Sequence, residues 1–291
     1  MYTIKQAAAR SGVAVALLRA WERRYGVVNP SRSPSGYRLY DDAAIARLRA
    51  MRALVEAGWS ASQAAEAVAS GSIDAGVDEP AAGAAEVGAG AALVDAAMAY
   101  DTVGIESAID EILARGSYEA IVDSLLLPAV AALGTAWAAG LIDVAAEHLA
   151  SAAVQRRLAA LFDLGGRPRA ERPVVVGLPP GCRHEIGTLA FAVALRRRGV
   201  DVVYLGPDTP VASWAHAALQ GDAAGAVIGV PRRADVGPAR DVASALLESG
   251  RGLVVAIGGP ASAAAVLGSA RLLPTRVTDA AADLAGLFAT G

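Results

Sequence analysis

His184 has the side chain best suited to chemistry in this 291-residue sequence, because it lies in a loop between a strand pattern and a helix pattern. An apolar β-branched run at 174–176 ends in the Gly-Leu-Pro-Pro-Gly turn at 177–181, and an apolar-periodic helix pattern opens at Gly187. In an open α/β sheet such a loop lies at the carboxyl ends of the strands, where ligands bind. The imidazole could therefore reach a molecule held above the sheet; a histidine that only caps the turn is the alternative.

Two further groups of residues have the chemistry of a ligand site. Gly258 and Gly259 follow an apolar run, and glycine lets a ligand approach the backbone where a Cβ would obstruct it. Upstream, nine residues separate Trp137 from the pair Glu147-His148. An indole offers a flat apolar cover, and a carboxylate accepts hydrogen bonds from hydroxyl groups. A buried tryptophan beside an exposed charged pair is the alternative interpretation of this second group.

The spacing His184-x-x-Gly187 resembles the Asp-x-His-x-x-Gly signature of cobalamin-binding domains, in which the histidine displaces the cofactor's own base and ligates cobalt from below. The glycine pair resembles the place where the nucleotide tail of cobalamin passes the backbone. Trp137 with Glu147 resembles the helical cap over adenosylcobalamin in the light-sensing repressors of the CarH and LitR type. The resemblance implies adenosylcobalamin as the cofactor and His184 as the ligand to its cobalt. The cofactor-binding residues that it implies are His184, Trp137, Glu147, His148, Cys182, Arg183, Gly187, Gly229, Gly258 and Gly259.

The sequence departs from these patterns at three positions. Cys182 stands where cobalamin domains carry the acid that hydrogen-bonds the ligating histidine, and a thiol is a weak acceptor. Gly229 stands where a serine usually contacts the cofactor's lower base. Ala138 follows Trp137, where the light-sensing repressors carry a histidine that takes the upper cobalt position after illumination, so His148 or water would have to replace it. We therefore expect weaker cobalamin binding, or a water between the cofactor and residue 182; an exposed cysteine there would alternatively be a redox site or an attachment point for another chromophore.

The N-terminal residues combine a helix-turn-helix pattern with positive charge. Thr3 can cap a short helix pattern to Ala9, residues 11–13 form a tight turn, and 14–25 carry apolar residues at helical spacing, with Trp21 on the core side. The first 60 residues hold ten basic and four acidic residues, a net charge of +6, so the remainder carries −9 to give −3 overall. A basic head on an acidic body is typical of a nucleic-acid binder with a separate sensing module.

A Gly-Tyr-Arg-Leu-Tyr segment at 36–40 follows the second helix pattern and predicts a hairpin wing. This order of helix, turn, arginine-bearing helix and wing resembles the head of MerR-family regulators, which bind double-stranded DNA. The alternative is that the arginines form a solvated helix face. The resemblance implies that the operator is contacted by Arg19, Arg23, Arg24, Tyr25, Tyr37, Arg38 and Tyr40.

The chain divides into four segments by pattern. Residues 1–70 are the winged helix-turn-helix, 71–89 a flexible linker, 90–165 a four-helix bundle that would cap the cofactor, and 170–291 an alternation of strand and helix patterns. That alternation predicts a flavodoxin- or Rossmann-like α/β domain with a parallel sheet. We therefore expect a multi-domain protein with a mostly α winged head, a bundle and an α/β sheet domain. Pro128 would kink the third bundle helix unless a helix begins there.

Composition limits the function classes further. The chain is 54% hydrophobic without an uncharged apolar run flanked for membrane insertion, residues 1–6 lack the apolar core of a signal peptide, and Cys182 is the single cysteine, which excludes an intrachain disulfide. We expect a cytoplasmic protein with no membrane partner. The sequence has no catalytic carboxylate pair, nucleophile triad, zinc spacing or phosphate-binding loop, so we expect no enzymatic activity.

Together these features predict a transcriptional repressor that binds adenosylcobalamin as a light-sensing chromophore. Its self-association into a homodimer or homotetramer would control operator binding, and the body would carry that association because no heptad pattern extends the head. One alternative is a regulator of the same kind that works without cobalamin and uses its body to bind an antirepressor protein. Another is a corrinoid methyl-carrier subunit, against which the helix-turn-helix argues.

Overall fold

The structure is a computed structural model that describes residues 1–13, 15–28, 30–32, 38–56, 65, 68, 84–165, 172–249 and 252–288. The described residues form a winged helical head, a helical bundle and a parallel α/β sheet domain. The multi-domain fold class predicted from the sequence is therefore confirmed. Tyr37 and residues 71–83 of the predicted linker lie outside the described residues.

The head is a helical unit with a small antiparallel sheet. Its elements are the helices α1 (Ile4–Ser11), α2 (Val15–Tyr25) and α3 (Asp42–Glu56) and the strands β1 (Tyr2–Thr3), β2 (Ser31–Arg32) and β3 (Arg38–Tyr40), in the order β1-β3-β2. Thr3 and Gln6 form a capping box that fixes the start of α1, and Gly12 ends α1 in the left-handed conformation. The predicted wing is thus extended by β1, which the sequence pattern missed because two residues carry no readable periodicity.

The middle of the chain is a helical bundle with short connections. Its elements are α4 (Ala84–Met98), α5 (Thr102–Leu113), α6 (Tyr118–Ile121), a π-helical segment (Val122–Leu126), α7 (Leu127–Ala138) and α8 (Val144–Asp163). Asp101, Ser117 and Asp143 accept hydrogen bonds from backbone N–H groups at the starts of α5, α6 and α8. Because α4 begins at Ala84, residues 84–89 belong to the bundle and not, as the sequence predicts, to the linker; their Ala-Ala-Glu-Val start favours a helix.

Pro128 lies in the first turn of α7, directly after the π-helical segment. A proline is tolerated in a first turn, because its missing N–H removes no intrahelical bond there. The helix therefore changes from π-helical to α-helical pitch just before Pro128. By length and composition the stretch Tyr118–Ala138 is apolar enough to cross a membrane. In the bundle it supplies Val122, Leu126 and Leu133 to the apolar core, and a core helix satisfies the same criterion.

The C-terminal domain is a five-stranded parallel sheet between helices. Its strands are β4 (Val174–Gly177), β5 (Val202–Gly206), β6 (Gly225–Gly229), β7 (Val254–Gly258) and β8 (Arg271–Leu272), and its helices are α9 (Ile186–Arg197), α10 (Val211–Gln220), α11 (Val236–Glu248) and α12 (Val277–Phe288). The strand order β5-β4-β6-β7-β8 is the flavodoxin-like order 2-1-3-4-5. The switch point of this order lies between β4 and β6, so the loop that carries His184 begins where such folds bind ligands.

The bundle and the sheet domain share one continuous apolar core. The Tyr118 hydroxyl, on α6, donates a hydrogen bond of 2.7 Å to the Ala190 carbonyl on α9. The Asp123 carboxylate, in the π-helical segment, accepts hydrogen bonds from the Val277 N–H at 2.8 Å and from the Thr278 N–H and hydroxyl at 3.0 and 2.7 Å. A bundle residue therefore caps α12, and the two units hold each other in position.

Candidate functional site

A cavity of about 280 Å³ opens at the carboxyl ends of β6 and β7. One wall is the first turns of α9, another is the start of α12, and Leu127 closes it from the bundle. Apolar side chains dominate the lining, and its polar side chains are those of His184, Thr188 and Thr275. Of the residues predicted to bind a cofactor, the cavity brings together His184, Gly187, Gly229, Gly258 and Gly259.

Three of these glycines show why a side chain is missing. Gly259 has φ +109°, and a Cβ there would lie 2.8 Å from the Val230 carbonyl oxygen. A Cβ at Gly229 would overlap the Thr188 side chain. Gly187 is different, since a Cβ there would meet no protein atom within 4 Å. It would occupy the cavity itself, so the space beside Gly187 suits a ligand that approaches the backbone closely.

The imidazole of His184 lies at the mouth of this cavity, accessible to solvent. Partial desolvation lowers its pKa below 6.5, and the positive charge of Arg232 lowers it further. The negative charges of Asp235 and Glu147 oppose that shift. The neutral imidazole, which is the form that ligates metals, is therefore favoured at neutral pH.

Cys182 is fully buried beneath the same loop. Burial raises the pKa of its thiol to about 11, and the charge of Asp235, which also accepts a hydrogen bond from the thiol, adds to the shift. The thiol is therefore protonated at neutral pH, and the alternative of an exposed redox or attachment site at Cys182 is wrong. Burial follows from the turn at 177–181, which directs residue 182 into the sheet domain.

Asp235 is the buried acid of this region, and sequence reasoning missed it. The residue is 3% exposed. Its carboxylate accepts three hydrogen bonds from Arg232: one from the backbone N–H at 3.1 Å, one from the side-chain Nε at 3.2 Å and one from Nη2 at 3.0 Å. The signal that could have identified it is the Arg-Arg-Ala-Asp segment at 232–235, which follows β6 at the ligand-binding edge of the sheet.

Asp208, two residues after the end of β5, fixes the His184 loop. Its carboxylate accepts a hydrogen bond of 2.7 Å from the Gly181 N–H, and its own N–H donates to the Cys182 carbonyl at 2.8 Å. The Arg183 guanidinium lies 3.8 Å from the other Asp208 oxygen and does not line the cavity. Arg183 therefore belongs to the loop's outer surface, where it pairs with the residue that fixes the loop.

The predicted cap residues lie at the end of the bundle, outside the cavity lining. Trp137 is 41% exposed at the end of α7, so the interpretation of a buried core tryptophan is wrong. Glu147 lies in the first turn of α8, where it accepts a hydrogen bond of 2.6 Å from the Ser151 hydroxyl. His148 is exposed, and its Nε2 lies 3.7 Å from Glu147 Oε2. Because the charge of Glu147 acts on His184, the carboxylate and the candidate cobalt ligand share one region.

These residues fit a corrinoid. A neutral imidazole stands at the mouth of an apolar slot, and open space adjoins Gly187 at the start of α9. His184 would hold the metal, and the slot with Gly258 and Gly259 would hold an organic tail. The fit concerns the lower side of such a ligand, since the cap residues do not line the slot.

The candidate DNA-binding surface is one side of α2. Arg19, Arg23 and Arg24 are exposed there, and Tyr25 is half-buried at the end of the helix. An exposed guanidinium can reach both phosphates and guanine edges. This side of α2 has the character of a recognition helix.

The wing residues are tied to α2 through Glu22. The Arg38 Nε donates to Glu22 Oε1 at 2.8 Å, and the Tyr40 hydroxyl donates to Glu22 Oε2 at 3.0 Å. Tyr40 is fully buried, and burial with that hydrogen bond raises its pKa to about 12. The prediction that Tyr40 contacts DNA is therefore corrected: its ring lies in the head core, where it positions the wing.

Two family models match this chain, one over the head and one over the bundle. Residues 2–70 match the family described as MerR HTH family regulatory protein, and residues 90–162 match the family described as B12 binding domain. The chain is 36% identical over 225 residues to the HTH-type transcriptional repressor CarH of Myxococcus xanthus, covering 75% of each protein. It is 33% identical over 219 residues to the repressor CarA of the same organism, covering 75% of this chain and 72% of CarA.

Among solved structures, the monomethylamine corrinoid protein of Methanosarcina barkeri aligns with a TM-score of 0.55 and 18% identity, over 67% of this chain and 96% of that one. This likeness shows the fold of the bundle with the sheet domain. The relatives named above are transcriptional repressors, in agreement with the prediction that this protein is not an enzyme. With a MerR-type head, a B12-binding body and this degree of identity to CarH, the chain belongs to the MerR-type transcriptional regulators that carry a C-terminal cobalamin-binding domain.

Proposed function

We propose that this protein is a repressor that uses adenosylcobalamin as a light sensor and binds its operator as a cofactor-dependent homo-oligomer. The observation that best supports the proposal is the His184 imidazole, favoured in its neutral form at the mouth of an apolar slot. A regulator that binds DNA with one domain and a chromophore with another needs such a ligand on the second domain. As a regulator of operators, the protein would act in the cytoplasm.

In this proposal each unit has one task. The head, 1–70, binds the operator, and the segment from 71 to the start of α4 links it to the body. The bundle to residue 165 covers the cofactor with Trp137 and Glu147, whose carboxylate would accept hydrogen bonds from ribose hydroxyls. The sheet domain, from about 170 onwards, holds cobalt through His184. When bound, adenosylcobalamin supplies a cobalt–carbon bond that light breaks.

Light would act on DNA binding through linkage. A cofactor that binds the oligomer more tightly than the monomer shifts the population toward the oligomer, and illumination removes that preference. Several tethered heads bind neighbouring half-sites with high effective concentration, so disassembly lowers operator occupancy without a change in any head. The interface between subunits can therefore control the interface between head and operator without touching it.

The test is gel filtration of the purified protein with adenosylcobalamin, in the dark and after illumination, with absorbance recorded across the peak and operator binding measured on the same fractions. We expect a corrinoid-containing species larger than the monomer that shrinks in light and loses operator affinity. Ligand and light that change neither size nor operator binding would contradict the proposal.

The control variants use two of the chain's three histidines. His184→Ala should abolish corrinoid retention, whereas His216→Ala, an exposed residue on α10, should behave as the native chain. Equal loss in both variants would mean that the effect comes from the fold and not from ligation.

A second candidate function is a cobalamin-independent regulator whose body binds an antirepressor protein. It is favoured by the exposed apolar side chains beside the predicted cap, since Trp137, Leu141 and Val144 are 41%, 62% and 50% exposed. Normal operator binding by a protein that retains no corrinoid would support this candidate. Corrinoid retention with light-dependent assembly would exclude it.

A further inference from the structure

The slot beneath His184 is apolar except at a few positions. Val227, Val230, Leu273 and Phe191 form much of its surface. Ligand sites of this kind are oriented by a small number of placed polar groups. Apart from His184 at the mouth, the polar side chains that line the slot are those of Thr188 and Thr275.

Thr188 lies in the first turn of α9, against the end of β6. A Cβ built on Gly229 would lie 3.1 Å from Thr188 Cγ2 and 3.2 Å from Thr188 Cβ, and it would overlap Oγ1. The threonine side chain therefore occupies the volume that any side chain at position 229 would need. A side chain at position 229 and the Thr188 hydroxyl therefore compete for this part of the slot wall, and in this protein the Thr188 hydroxyl occupies it.

The Thr188 hydroxyl makes no hydrogen bond to another group within the part of the chain that the structure describes. Because this hydroxyl lies on an otherwise apolar wall, a molecule that fills the slot and displaces water must supply a hydrogen-bond partner or lose free energy. Because Thr188 lines the slot in the first turn of α9, that partner would lie inside the slot. A planar heteroaromatic ring with an unprotonated nitrogen provides the required acceptor.

Resting on the proposed cobalamin function, we propose that the Thr188 hydroxyl positions the cofactor's nucleotide base in the slot by donating a hydrogen bond to its ring nitrogen. If His184 ligates cobalt in place of that base, the ring nitrogen is left with a free lone pair and needs a donor. Gly229 then has a positive role, because its missing side chain makes room for Thr188. The hydroxyl reaches the slot from α9 and not from β6.

The test compares two corrinoids: aquacobalamin, which has the nucleotide tail, and diaquacobinamide, which lacks it. Thr188→Val keeps the shape and removes the donor, so it should weaken aquacobalamin binding roughly 3- to 10-fold, the range expected for one hydrogen bond. Binding of diaquacobinamide should not change. Thr102→Val, at an exposed threonine of α5 that does not line the slot, is the matched control and should leave both affinities as they are. Each dissociation constant is measured by absorbance titration in the dark.

Two further variants protect the test against a folding defect. Thr188→Ser should retain nearly native aquacobalamin affinity, and Thr188→Ala combined with Gly229→Ser should restore part of it by moving the hydroxyl to β6. Native aquacobalamin binding by Thr188→Val, or equal weakening of both corrinoids, would overturn the assignment. If the unmodified chain bound neither corrinoid, the cofactor proposal itself would fail, which is a separate result.

Discussion

Beneath the His184 loop, the buried charge is concentrated in Asp235. This carboxylate is clamped by Arg232 and accepts a hydrogen bond from the Cys182 thiol. Where related cobalamin domains place an acid at position 182, this chain has a neutral residue beside an acid contributed by another loop. Two carboxylates in one buried region repel each other, so the presence of Asp235 explains why a thiol is tolerated at 182.

We predict that Cys182→Asp destabilises the cofactor-free protein by roughly 2–4 kcal/mol, because a second carboxylate must either ionise beside Asp235 or take up a proton. Adding Asp235→Asn should recover more than about 1 kcal/mol of that loss, since the two residues are in contact. Urea denaturation of the two single variants and the double variant measures the coupling. Cys182→Ser is the control; if Cys182→Asp were as stable as Cys182→Ser, the repulsion would not exist.

The electrostatics of His184 lead to a prediction about pH. Desolvation and Arg232 lower the pKa of its imidazole, so the folded protein binds this proton more weakly than the unfolded chain does. The contribution of His184 to stability is therefore complete above pH 6.5 and is lost as pH falls through the lower folded-state value. Arg232→Met should raise the His184 pKa, since a positive charge is removed and Asp235 remains.

The measurement is an NMR titration of the three histidines in the cofactor-free protein, with His184→Ala to assign the signal. Arg240→Met, which removes an exposed arginine from α11, is the control. A His184 pKa that stays the same in Arg232→Met, or that rises equally in Arg240→Met, would refute this account.

At the scale of elements, the strongest patterns in the sequence predicted the structure well. The β-branched run at 174–176 and the apolar run before Gly258 became β4 and β7, and the predicted bundle at 90–165 consists of the helices α4 to α8. Local periodicity and caps carry this information. The order of the strands followed from general rules of α/β folds.

The parts that could not be predicted depend on contacts between distant segments. Asp123 is unremarkable in sequence, yet it caps α12 across more than 150 residues of chain. The sequence predicts Tyr40 as a surface residue of the wing. In the structure its ring is buried in the head core, and its hydroxyl donates a hydrogen bond to Glu22. The position of Thr188 beside Gly229 results from the packing of α9 on the end of β6. Such pairings have no periodicity that a single sequence could reveal.

The cap made by Asp123 gives a prediction at this scale. Asp123→Ala removes three hydrogen bonds to the start of α12 and should lower the free energy of unfolding by about 1–2 kcal/mol, as expected for the loss of an N-cap. Because Val277 and Ala280 of α12 line the slot, corrinoid affinity should fall as well. Asp279→Ala removes a charge from the same helix start without breaking a capping bond, and it should leave both quantities near native. Urea denaturation and absorbance titration of both variants distinguish these outcomes.

At the scale of the whole molecule, charge is divided between the units. The first 60 residues carry +6 and the rest carries −9. An acidic body is repelled by the phosphate backbone, so non-specific attraction to DNA is confined to the head. Affinity for an operator then depends on how many heads are presented together, which is the quantity that assembly of the body would control.

Arg23→Ala in the full chain tests this division. If the exposed Arg23 on α2 contacts a phosphate, operator affinity should fall nearly uniformly across sequences, and the slope of log K against log salt should decrease by about 1. If it reads a guanine instead, the loss should be about 1–3 kcal/mol at one base pair and should relax specificity there. Arg240→Ala removes an exposed arginine from α11 in the acidic body and should change neither the affinity nor the slope. An equal effect of both substitutions in an electrophoretic titration at several salt concentrations would show that DNA binding is not confined to the head.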